Sequence, residues 1–160
     1  MNCSTMKKVS PEQALVRLEE LCVRAERCEA ELRRKLMQWA IVPADADSII
    51  ASLRARRFLD ETRFAAAFVR DKYRFGKWGR RRIVMALRQK NIQSDVIDCA
   101  LGEIDEEEYR QILAALLRYK AKGMARPLEY DDRNRLFRFA VGRGFEPDFI
   151  ISEIKTIQKS

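Results

Sequence analysis

Apolar residues recur every three or four positions along nearly the whole chain. Leu15, Leu18, Leu21 and Ala25 follow this spacing, as do Leu32, Leu36 and Trp39, then Ile49, Ile50 and Leu53. Phe64, Ala67 and Phe68 continue it, and Ile112, Leu113, Leu116 and Leu117 form a later stripe. Residues at that spacing share one face of a helix, so each run predicts an amphipathic helix with its apolar face inward. Arg33, Arg34 and Lys35 would line the outer face of the second run. Alternation with period two is absent, and the β-branched residues fall inside helical periods, so no strand is expected.

The punctuation agrees with this reading. Ser10-Pro11-Glu12-Gln13 reads as a helix start with a capping box, because Ser10 and Gln13 can each bond the other's backbone N–H. Cys28-Glu29-Ala30-Glu31 has the same outline with a thiol in place of the hydroxyl, so a weak cap is expected. Asp60-Glu61-Thr62-Arg63, Ser94-Asp95 and Asp105-Glu106-Glu107-Glu108 open further helices. Carboxylates there face the positive end of the helix dipole. Pro43-Ala44-Asp45 reads as a break, and Phe75-Gly76-Lys77-Trp78-Gly79 and Lys122 to Pro127 as loops. The last two helices flank Gly142-Arg143-Gly144-Phe145-Glu146-Pro147.

One short pattern occurs in three copies. Leu36 to Ile41 precedes Ile49 to Leu53; Leu87 to Ile92 precedes Val96 to Leu101; Ala140 to Phe145 precedes Phe149 to Ile154. Each copy is an amphipathic helix, a tight turn closed by one apolar residue, and a second apolar helix. A period of ~50 residues points to stacked helical units. The expected fold is all-α: three tandem three-helix units in an elongated, curved helical repeat array. The expected boundaries are a flexible stretch over 1–9, then units at 10–58, 59–104 and 105–158. Such an array favours binding along an extended partner over enzyme-like chemistry.

Charge sharpens that expectation. The 160 residues carry a net charge of +8, with 35% charged residues, so an acidic partner is expected. No apolar run approaches the ~20 residues a membrane helix needs. The start, Met1 to Lys8, lacks the apolar core of a secretory signal, and a cytoplasmic monomer without a membrane partner is expected. The four cysteines, Cys3, Cys22, Cys28 and Cys99, form no Cys-x-x-Cys pair, and histidine is absent. A zinc site is therefore not expected, and Cys22 and Cys99, which fall among apolar helical positions, read as small core residues with reduced, structural thiols.

The most polarised segment runs from Arg70 to Lys90. It holds Arg70, Lys72, Arg74, Lys77, Arg80, Arg81, Arg82, Arg88 and Lys90, opposed by Asp71 alone. Guanidinium and ammonium groups at this density suit phosphate or acidic protein surface. Tyr73 and Trp78 lie among them as candidates for packing or for stacking on a base. Arg135, Arg138 and Arg143 extend a second basic patch with Arg133 near Phe137, and Arg118, Lys120, Lys122 and Arg126 form a third. Catalysis finds little support. Asp105 to Glu108 and Asp131-Asp132 could hold magnesium for a nuclease using Glu106 and Asp131, but both stand where helices begin. No phosphate loop or nucleophile elbow is present, and no cofactor is called for.

These residues resemble a known family. Arg57 to Arg70, Gly76-Lys77-Trp78-Gly79, Arg82-Ile83 and Leu87-x-x-Lys90-Asn91-Ile92 resemble the central motif of the RecX regulatory proteins. Glu31 to Leu36 is similar to the family's first repeat, and Arg143-Gly144-Phe145 with Asp148 and Ile150 to its last. Cys28, Asn91 and Trp39-Ala40 depart from the usual Ser or Thr and Gly, and Pro43 to Asp47 holds extra residues. The resemblance spans roughly residues 12 to 155 and recurs at the repeat spacing. It implies a non-enzymatic modulator of the RecA recombinase that lies in the groove of the RecA–DNA filament. Such a protein bridges protomers, inhibits strand exchange, ATP hydrolysis and coprotease activity, and in several members binds DNA directly. The rival reading is a nucleic-acid-binding helical module that competes for DNA without touching RecA.

Overall fold

A computed structural model describes residues 8–159. The expected flexible start and Cys3 fall largely or wholly outside the described residues. Among those residues there are nine α-helices and no strand. They are α1 (Pro11–Arg24), α2 (Glu29–Gln38), α3 (Pro43–Ala55), α4 (Glu61–Arg74), α5 (Arg80–Gln89), α6 (Ser94–Gly102), α7 (Glu106–Lys120), α8 (Tyr130–Gly142) and α9 (Pro147–Lys159).

Three helix starts are closed by a side-chain cap. Ser10 Oγ accepts from the Gln13 N–H at 3.1 Å, and Gln13 Oε1 accepts from the Ser10 N–H at 3.0 Å, which closes the capping box. Asp60 Oδ1 accepts from the Arg63 N–H at 3.1 Å, and Asp105 Oδ1 from the Glu108 N–H at 2.8 Å. Cys28 is the N-cap of α2 but makes no side-chain capping bond. Its thiol is fully buried, and burial pushes its pKa up. Two boundaries differ from the sequence reading. Gln93, not Ser94, is the N-cap of α6: its backbone is extended, with φ -68° and ψ 149°, while its carbonyl already accepts from the Ile97 N–H at 3.0 Å. Pro43 does not break a helix but opens α3, where its missing N–H is one the first turn leaves unbonded anyway.

The repeated turn has a common geometry. Ala40, Asn91 and Gly144 take left-handed φ values of 56°, 60° and 95°. After Ala40 and Gly144 the next apolar residue turns back onto the helix it leaves: the Ile41 N–H donates to the Leu36 carbonyl at 3.0 Å, and the Phe145 N–H to Ala140 at 3.2 Å. This is the Schellman closure, which satisfies carbonyls the helix end would leave open.

The chain forms two compact units. The first reaches Phe64 and includes Lys90–Ile92. There α3 packs on α1 and α2 over a core of Leu18, Leu32, Leu36, Ile49, Ile50 and Leu53. The second holds Ala65–Gln89 and the chain from Gln93 onward. In it α5 packs on α6, while α7, α8 and α9 pack on one another and bury Tyr109, Leu113, Leu117, Leu136, Phe145 and Ile150. Two turns of this unit meet backbone to backbone. The Gly79 N–H donates to the Arg143 carbonyl at 2.7 Å and the Arg81 N–H to Gly144 at 3.0 Å. A Cβ on Gly79 would lie 2.2 Å from the Gly144 carbonyl carbon, so only glycine admits this approach.

Candidate functional site

Three consecutive arginines open α5 and take three different courses. Successive helical residues point about 100° apart, so neighbours in sequence need not be neighbours in space.

Arg80 turns inward. Its guanidinium pairs with Glu106, stands 3.3 Å from Glu146 Oε2, and lies 4.0 Å over the Tyr109 ring. Its backbone N–H donates to the Tyr109 hydroxyl at 3.0 Å, and that hydroxyl donates to Glu146 Oε1 at 2.8 Å. Burial, joined by the Glu146 carboxylate, pushes the Tyr109 pKa far above the tyrosine range, which keeps the hydroxyl protonated as a donor. Arg80 is thus an internal brace rather than a contact offered outward, because two carboxylates and a ring already hold it.

Arg82 folds back over Trp78 at 4.1 Å from its centroid, and the Lys72 ammonium lies over the same ring at 4.7 Å. Phe68 meets Trp78 edge-on at 6.3 Å. Trp78 is half-buried, and its ring packs against these groups instead of standing open to a base. Tyr73 is a core residue, only 1% exposed, so it packs and cannot stack on a ligand. Arg74 lies 5.5 Å over the Tyr73 ring and grips the Glu108 carboxylate with Nε at 2.8 Å and Nη2 at 3.2 Å. Arg143 is also internal, donating to the carbonyls of Lys77 at 3.1 Å and Gly76 at 2.5 Å. Turn carbonyls, not a ligand, hold its guanidinium.

What stays outward is a smaller set. Arg70, Lys77, Arg81 and Arg88 are exposed and have no ion pair among the described residues, and Arg82, though its guanidinium lies over Trp78, is exposed and without an ion pair too. The same holds for Arg135 and Arg138 on α8. Arg81 and Arg88 stand seven residues apart with Met85 between them, on one stripe of α5 opposite buried Ile83 and Leu87. Met85 is 62% exposed. The stripe borders a groove of 530 Å³ lined by Arg80, Arg81, Val84, Met85, Arg88, Glu146 and Phe149. Arg110 reaches over Phe149 at 4.6 Å from the ring centroid. The sequence reading missed Met85, Phe149 and Arg110. Met85 carried a usable signal, since it falls two residues from both Ile83 and Leu87 and so cannot share their buried face.

The acidic runs have local roles. Asp105 caps α7, and Asp131 and Asp132 lie in the first turn of α8. Among the described residues no group of three or more carboxylates or thiols is placed to hold a metal ion. No helix among them is long and apolar enough to cross a membrane.

Comparison with known proteins fits this architecture. Residues 60–101 match a family model described as RecX, second three-helix domain. A Regulatory protein RecX from Chromobacterium violaceum is 30% identical over 134 residues, covering 84% of each chain. One from Thermus thermophilus is 31% identical over 133 residues, covering 83% of this chain and 84% of its own. The crystal structure of RecX from Lactobacillus salivarius superposes with a TM-score of 0.81 at 17% identity, covering 94% of this chain and 97% of that one, and so shares the fold. With its tandem helices, its repeated left-handed turns and relatives matched along most of their length, the chain belongs to the RecX family of regulatory proteins.

Proposed function

We propose that this chain is a non-enzymatic regulator that binds the RecA–DNA filament in the cytoplasm and lowers its ATP-hydrolysing, recombinase and coprotease activities. On this reading it acts as a monomer of three three-helix units, at 10–58, 59–104 and 105–158. The observation that carries the proposal is the exposed, unpaired cationic stripe of Arg81 and Arg88, preceded in sequence by exposed Arg70 and Lys77. Unpaired guanidinium groups at a surface suit acidic protein or phosphate. The family supports the choice of partner.

The test separates surface from scaffold. Arg81→Glu with Arg88→Glu alters the exposed groups and leaves Arg80 bracing the core. The double variant should need about tenfold more protein to inhibit RecA's DNA-dependent ATP hydrolysis, a loss of about 1.4 kcal/mol. Undiminished inhibition with helicity intact by circular dichroism would overturn the assignment. A second reading, a DNA-binding module with no RecA contact, draws on the net charge of +8 and on exposed Arg135 and Arg138. Binding to preformed filaments at a salt concentration that abolishes binding to naked DNA separates the two.

A further inference from the structure

We infer that the groove between α5 and α9 is a docking site for an acidic protein segment that carries apolar side chains, rather than for nucleic acid. The inference rests on the regulator reading above and names the kind of partner surface this groove takes.

The floor of the groove is apolar. Val84, Met85 and Phe149 line it, and Met85 holds its thioether chain largely in solvent. An exposed methionine is a flexible, polarizable surface that moulds to aliphatic or aromatic side chains. The rim is cationic. Arg81 and Arg88 are exposed on one side, and Arg110 rises over Phe149 on the other. None of the three has an ion pair among the described residues. The one carboxylate in the lining, Glu146, already receives Arg80 and the Tyr109 hydroxyl, so it does not neutralise the rim.

An apolar floor beneath unpaired guanidinium groups is complementary to a chain that alternates carboxylates with large apolar residues. Nucleic acid fits less well. A phosphate backbone finds nothing to bond on the floor, and stacking a base requires an open ring face. The floor's one ring, Phe149, lies under Arg110 and stands perpendicular to Tyr109 with the centroids 5.9 Å apart. A groove of 530 Å³ is large enough for several side chains of a docked segment.

The test uses the full chain and three labelled probes: a short peptide of glutamates with spaced leucines, the same peptide with serines for leucines, and a single-stranded oligonucleotide. Fluorescence anisotropy follows binding at one fixed salt concentration. Wild type should bind the leucine peptide about tenfold more tightly than the serine peptide. Met85→Glu should erase that preference and leave oligonucleotide binding within about twofold. Met85→Ser, which adds no charge, should reduce the preference part way. Equal binding of the two peptides by wild type overturns the inference, as does a preference that survives Met85→Glu. An oligonucleotide weakened by Met85→Glu as strongly as the peptide overturns it too, and makes the groove a nucleic-acid site. Inhibition of RecA is measured on the same proteins. Missing leucine preference with inhibition intact defeats the groove alone, whereas wild type that fails to inhibit RecA defeats the regulator reading beneath it.

Discussion

Ala40, Asn91 and Gly144 hold equivalent places after the second helix of each repeat, yet differ in how well they suit a left-handed backbone. Alanine at φ 56° is the poorest fit, since its Cβ crowds the following carbonyl. Ala40→Gly should therefore stabilise the protein by about 1 kcal/mol, read as a higher urea midpoint with an unchanged slope. The reverse change at the third copy is worse than a simple conformational effect. Gly144 has φ 95°, and a Cβ there would stand 2.4 Å from Arg82 Cβ and 2.6 Å from its backbone nitrogen. Gly144→Ala should cost more than about 2 kcal/mol in the same measurement. The turn positions themselves were legible, because Ile41, Ile92 and Phe145 recur after each helix. The strain at Ala40 was not, because backbone angles follow from how helices pack and leave no mark in composition.

On α5 the limits of sequence reading are plainer. Its charge density was visible, and the apolar spacing of Ile83 and Leu87 marked the buried face. The different courses of Arg80, Arg81 and Arg82 were not visible, since Glu106, Tyr109 and Glu146 lie far along the chain. The junction they form should respond to pH. Tyr109 has a folded-state pKa raised above the ordinary 10.0, so its hydroxyl stabilises the fold fully below that value, and the contribution fades as pH climbs beyond it. Tyr109→Phe leaves the Arg80 N–H without its acceptor and takes one donor from Glu146. The variant should be about 1–3 kcal/mol less stable at neutral pH. That deficit should shrink above pH 10.0, because only wild type has a phenol to ionise. A deficit that stays constant to high pH would show that the hydroxyl is not held as described.

At the scale of the whole chain, the excess of +8 predicts association that weakens as salt rises. If Arg135 and Arg138 meet phosphates, their joint replacement by alanine should lower the slope of log affinity against log salt for single-stranded DNA by about 1 to 1.5. Anisotropy titrations across a salt series check this, and an unchanged slope removes both residues from DNA contact. The all-α class was readable from periodicity alone, whereas the pairing of α5 with the turn before α9 was not, because two glycines mark it and glycine spacing is a weak signal. Their meeting without intervening side chains has a consequence for recognition. The backbones that carry Met85 and Phe149 are tied together near Gly79 and Gly144 by peptide hydrogen bonds, so the walls of the groove are set before anything arrives and only the Met85 side chain is left to adapt. A guest then loses its own freedom but orders little of its host beyond the Met85 side chain, which makes release rather than capture the step that sequence changes in the guest will tune.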